Sequence, residues 1–84
     1  MASTDQPATK IKTAKDLGAV LRAARKNQQF TLEKVSGLTH ISTRFLSEVE
    51  RGKETAELGK VLNALDKLGL EVIIQSRGYI PSKG

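Results

Sequence analysis

Cysteine and tryptophan are both absent from the 84 residues, and the aromatic side chains are limited to two phenylalanines and one tyrosine. Without a thiol there is no disulfide framework, no thiolate metal site and no cysteine nucleophile, a composition that suits a reducing compartment. His40 is the single histidine. With no glycine-rich phosphate loop and no paired carboxylates beside it, the residue set speaks against an enzyme, and no metal or cofactor is expected. Apolar runs are short, Val72-Ile73-Ile74 being representative, whereas a membrane span needs about 20 apolar residues. The opening MASTDQPATKIK carries no apolar secretion core, so a soluble protein of the cytoplasm, associated with the nucleoid, is expected. A chain this short buries only somewhat more than about 60% of its unfolded surface, which favours association between copies.

What the sequence does have is positive charge. The formal net charge is +5, which leans towards a polyanionic partner because lysine and arginine release counterions from phosphates. The excess is N-terminal: residues 1–30 carry six basic and two acidic groups, whereas residues 31–54 carry four of each.

Residues 1–12 show no hydrophobic periodicity and read as a flexible arm, residues 13–77 as one domain, and residues 78–84, with Pro81, as a flexible tail. Thr13 with Asp16 forms a capping signal, and Leu17, Leu21 and Ala24 follow at helical spacing, predicting a first helix from Ala14 to Asn27. Thr31 caps a second, ending near Gly37 with Leu32 and Val35 inward, and Phe30 is placed to staple its start. The stretch Leu38 to Ile41 interrupts the pattern. Ser42 then caps a third helix, with Phe45, Leu46 and Val49 inward, Thr43, Arg44, Ser47 and Glu48 outward, and Gly52 as its stop. A fourth helix is expected from about Thr55 to Gly69, with Leu58, Val61, Leu62, Leu65 and Leu68 as its apolar stripe. Leu70 to Ser76 is rich in β-branched residues and reads as one strand.

Two short helices joined by a tight turn, the second opening on small or flexible polar side chains, are what a helix-turn-helix requires; spacing alone also allows a generic small helical bundle. A major groove about 12 Å wide admits one helix whose leading side chains reach base edges, which Thr43, Arg44 and Ser47 can do. The run FTLEKVSGLTHISTRFLSEVERGK resembles the phage repressor/Cro-type (XRE) helix-turn-helix regulators, and the resemblance covers roughly residues 17–68. It implies that Arg25 on the first helix pairs with Glu50 at the end of the third. A glutamate at that end of a helix opposes the dipole and is independently better explained by a cationic partner than by water. The chain departs from the family pattern at two places: Leu32 stands where a phosphate-touching glutamine is common, and His40 stands at a turn position often held by glycine.

A lone strand cannot satisfy its own ladder groups. The cheapest partner is a second copy across a two-fold axis; the other is the arm around Ile11. A helix-turn-helix followed by a single strand is similar to the HipB-type antitoxins, whose dimers include an inter-subunit sheet and which accompany HipA-type kinase toxins. The resulting expectation is a mainly α, four-helix DNA-binding domain with one C-terminal strand forming an inter-subunit antiparallel sheet. Functionally, it would be a homodimeric repressor on a palindromic double-stranded operator and the antitoxin of a HipA-like kinase toxin. A free-standing phage-type repressor and a pure protein-interaction module are the rivals. Base contacts are expected from Thr43, Arg44, Ser47 and Glu48, with Arg44 reading guanine or touching only phosphate, and Glu48 either accepting from cytosine or holding Arg44. Phosphate contacts are expected from Thr31, Ser42, Arg51 and Lys53, and dimerisation from Leu70, Val72, Ile73 and Ile74.

Overall fold

The computed structural model describes residues 8–77; the tail read over 78–84 and the first seven residues of the arm lie outside the described residues. Four helices follow one another: α1 (Ala14–Asn27), α2 (Leu32–Thr39), α3 (Thr43–Glu50) and α4 (Leu58–Lys67). α1 has the expected bounds, and its start is a full capping box. The Thr13 hydroxyl accepts from the Asp16 N–H at 3.0 Å, while the Asp16 carboxylate accepts from the Thr13 and Lys12 N–H groups at 3.1 and 2.9 Å. Those bonds favour the ionised form, so the Asp16 carboxyl is held below its ordinary value, the Lys12 N–H being the largest cause.

α2 runs two residues beyond the expected end at Gly37. The reason is Thr39, which is buried and donates its hydroxyl to the Val35 carbonyl at 2.8 Å while accepting the Ile41 N–H at 3.2 Å. The side chain thereby stabilises the last turn and begins the reversal in one stroke. Asn63 of α4 closes the same corner by donating to the Thr39 carbonyl at 3.4 Å. His40 then takes up the left-handed conformation, φ 61° and ψ 27°, that a glycine would occupy without strain.

α4 begins at Leu58 rather than near Thr55. Gly52, at φ 93°, turns the chain after α3, and Ala56 has to pack on the core before the next helix can start. The inward stripe is Val61, Ala64, Leu65 and Leu68; Leu58 and Leu62, expected in that stripe, are 65% and 42% exposed. At 100° per residue the two leucines lie about 70–110° round from the stripe's centre, on the helix flank.

Leu21, Val35 and Leu46, one from each of the first three helices, are the largest fully buried side chains and form the centre of the core. α3 packs against α1 and α2, and α4 packs against α2. Gly18 sets the approach of α1 to α3: a Cβ there would collide with the Val49 carbonyl oxygen and lie 2.8 Å from that of Glu50. After α4, Gly69 at φ 82° reverses the chain and the Leu70 N–H reaches the Leu65 carbonyl at 2.9 Å, so Leu70 folds back onto the core. Among the described residues no ladder forms within the chain, either to the arm around Ile11 or elsewhere. The strand read over 70–76 concerns pairing between two subunits, which a single chain does not contain.

Candidate nucleic-acid interface

α3 is held from behind by its apolar residues Leu46 and Val49, which are buried, and so turns Arg44, Ser47 and Glu48 away from the core. Ser42 caps its start by accepting the Phe45 N–H at 3.0 Å, and Thr31 caps α2 by accepting the Lys34 N–H at 3.0 Å. Each hydroxyl keeps its own proton to donate, and each helix start keeps N–H groups outside the helical ladder, the arrangement suited to a phosphate oxygen.

The outward polar side chains are already engaged with one another. Glu48 accepts from Lys53 at 3.1 Å and from Arg44 at 3.4 Å, and Ser47 accepts from Arg51 at 2.7 Å. The Lys53 bond, ahead of the Arg44 one, holds the Glu48 carboxyl below its ordinary value of 4.5. Arg44 itself is 88% exposed. Thr43, in the first turn of α3, is half-buried. The sequence reading anticipated the Arg44–Glu48 contact; it missed Lys53 and Arg51 as partners, although Ser47 and Arg51 sit four residues apart on one helical face.

Behind this face Arg25 and Glu50 meet as a bidentate pair, Nε to Oε2 at 2.6 Å and Nη2 to Oε1 at 3.0 Å. The remaining guanidinium nitrogen donates to the Phe30 carbonyl at 2.9 Å. One side chain therefore ties α1, the entry to α2 and the end of α3 together. The hydrogen bonds to Glu50 push the Arg25 pKa upward. Arg22 approaches the same carboxylate from the solvent side at 4.0 Å. Leu32, at the start of α2, lines an open cleft of about 420 Å³ with Arg22, Arg25, Ser47, Glu50 and Arg51. The residues marked for dimerisation divide: Leu70 packs on the core, whereas Val72, Ile73 and Ile74 are 57%, 74% and 93% exposed. Among the described residues no helix is long and apolar enough to cross a membrane, and no cluster of His, Cys, Asp and Glu could hold a metal ion.

Known proteins resemble this chain in sequence and in fold. A family described as a helix-turn-helix domain matches residues 16–72. The chain is 39% identical over 71 residues to a protein named as an uncharacterized HTH-type transcriptional regulator, y4mF, of Sinorhizobium fredii, covering 84% of this chain and 93% of that one. It is 38% identical over 64 residues to the transcriptional regulator ClgR of Mycobacterium tuberculosis, covering 74% of this chain and 57% of that longer protein. Among solved structures, HipB bound to the O4 20mer superposes with a TM-score of 0.77 at 17% identity, over 83% of this chain and 99% of that one. The HipA–HipB–O2–O3 complex gives the same figures. The fold is thus HipB-like, the relatives by sequence are regulators rather than enzymes, and the chain belongs to the helix-turn-helix family of transcriptional regulators.

Proposed function

We propose that the chain is a homodimeric, sequence-specific repressor that binds a palindromic operator and serves as the antitoxin of a HipA-like kinase toxin. The observation that carries the reading is the pair of surfaces left on one small domain: the polar face of α3, and three successive β-branched side chains, Val72 to Ile74, in solvent. An apolar triplet with so much exposure favours cover, and two antiparallel copies across a dyad supply it while satisfying each other's backbone. The same dyad sets two α3 helices about one DNA turn apart. Arg44 is the side chain for direct base readout, with Thr43, Ser47 and Glu48 beside it; Thr31, Ser42, Arg51 and Lys53 position the backbone. The antitoxin assignment draws support from the fold likeness to HipB, which is solved in complex with the O4 20mer and, with O2 and O3, in complex with HipA. The relatives by sequence are named as transcriptional regulators, which favours as a second reading a repressor that acts alone.

The test is Ile73→Pro, which removes a ladder donor in mid-strand. Sedimentation beside a gel shift on the DNA upstream of the gene should show a dissociated or unfolded protein that no longer shifts the operator. A dimer that binds with unchanged affinity refutes the strand as the dimerisation device. Co-purification with the product of an adjacent kinase-like reading frame separates the antitoxin from the lone repressor.

A further inference from the structure

Four cations, Lys15, Arg22, Lys26 and Arg51, lie in one band along α1 and the end of α3, and only part of that band belongs to the surface described above. Lys15, Ala19, Arg22, Ala23 and Lys26 of α1 line an open groove together with Glu50 and Arg51. The residues lie at steps of three, four, seven and eight along α1 and so share a face. The two alanines form a low floor between the cations. This groove shares Arg22, Glu50 and Arg51 with the cleft that contains Ser47 and Leu32, so the two are continuous from the start of α2 to the outer face of α1. At the other end, a Cβ on Gly52 would lie 3.0 Å from the Lys15 Cα, which brings Lys15 directly against the turn that leads to Lys53.

The band's charge is available to a ligand. Glu50, the acidic group on its wall, has a side chain only 7% exposed and is held by two of the three guanidinium nitrogens of Arg25. Arg22 is 58% exposed and only 4.0 Å from that carboxylate, and Lys15 and Lys26 make no ion pair among the described residues. From Lys15 to Lys26 the face spans about 16 Å of helix axis at 1.5 Å per residue. DNA presents about one phosphate per 3.4 Å of axis on each strand, so several phosphates fit the band.

We infer that the Lys15–Arg22–Lys26 face of α1, with Arg51, is a second phosphate-binding surface that grips the sugar-phosphate strand bordering the groove entered by α3. The inference rests on the DNA-binding reading and extends the footprint beyond α3. Its work is sequence-independent: it adds affinity and salt dependence and leaves base selection to α3.

The experiment is titration of a mixed-sequence duplex of about 20 bp with the wild-type chain, Arg22→Gln/Lys26→Gln, and Arg22→Lys/Lys26→Arg across 50 to 200 mM salt, the range over which phosphate contacts are commonly separated. At about 0.9 per phosphate, the neutralised variant should have a log–log slope shallower by about 1.8, so that its loss of affinity across that range is about twelve-fold smaller. The charge-conserving variant should keep the wild-type slope. The replaced side chains are exposed, and a thermal melt of each variant checks that the fold is retained; should the double variant fail to fold, Lys26→Gln alone should lower the slope by about 0.9. A slope unchanged within about 0.3 by neutralisation, or lowered equally by the charge-conserving pair, overturns the second surface while leaving DNA binding by α3 in place. A wild-type chain with no salt-dependent affinity for the duplex overturns both.

Discussion

Replacing Glu50 by alanine leaves the Arg25 guanidinium, whose side chain is only 11% exposed, with the Phe30 carbonyl as its one remaining acceptor. Two charge-assisted hydrogen bonds, at 2.6 and 3.0 Å, disappear together. Breaking a buried pair by removing one partner costs about 3–5 kcal/mol. The neighbouring cleft lets water reach Arg25 from one side, which places Glu50→Ala near the lower end, about 3 kcal/mol. A domain of this size has only about 4–13 kcal/mol in total, and at about 4–8 °C per kcal/mol the melting temperature should fall by about 12–24 °C. Urea unfolding followed by helical circular dichroism measures the free energy. The double variant Arg25→Met/Glu50→Leu, which removes both charges and keeps apolar bulk, should recover most of the loss, giving a coupling of about 2 kcal/mol in a double-mutant cycle. A Glu50→Ala chain within about 0.5 kcal/mol of wild type, the range of an ordinary surface substitution, would refute the reasoning: the pair would then be energetically a surface pair, and the angle between α1 and α3 would be set by apolar packing alone.

Gly18→Ala places a methyl group against the Val49 and Glu50 carbonyls; moving α1 off α3 should cost about 1–3 kcal/mol, read as a lowered urea midpoint, even though alanine is the better helix former. Arg44→Ala should weaken operator binding by about 1–3 kcal/mol and leave random DNA nearly unaffected, a difference that competition gel shifts would read; equal losses on both would make Arg44 a phosphate contact only. The carboxyl of Asp16 is lowered in the folded chain, so its stabilising effect is fully present above its ordinary value of 3.8 and is lost as pH falls through the lowered one. Acid titration of Asp16→Asn should therefore show a shallower fall in stability below that pH than the wild type.

Features written in local spacing were legible from the residues alone. The Thr13–Asp16 cap fixes the start of α1, and Ser42 with Gly52 brackets α3, because each is decided within a few positions of chain. The Arg25–Glu50 contact came from family resemblance and from the helix dipole, since 25 residues separate the partners. What periodicity misread were positions decided by tertiary contact. Gly37 looks like a stop, but the Thr39 hydroxyl and Asn63 hold the helix beyond it. Leu58 and Leu62 share the heptad-like spacing of the core stripe, yet α4 has only α2 to pack against over its main contact, so one flank stays in solvent. Gly18 is not legible as a contact point, because a glycine inside a helix gives no local sign of what lies across from it. The band on α1 was visible only as an N-terminal excess of charge; that Lys15, Arg22 and Lys26 join Arg51 depends on how α1 crosses α3.

The mutual engagement of the α3 side chains changes what binding consists of. Arg44 and Lys53 already share a carboxylate and Arg51 already has a hydroxyl, each through one donor nitrogen, so a base edge or phosphate either takes the N–H groups left over or displaces the existing partner, and where it displaces, the interaction is an exchange with little net gain in bonds. A wrong sequence need not disturb those pairs at all, and the protein can leave it quickly. Discrimination would then reside in residence time, with arrival rates much alike on all duplexes and departure slow only where the exchange is completed.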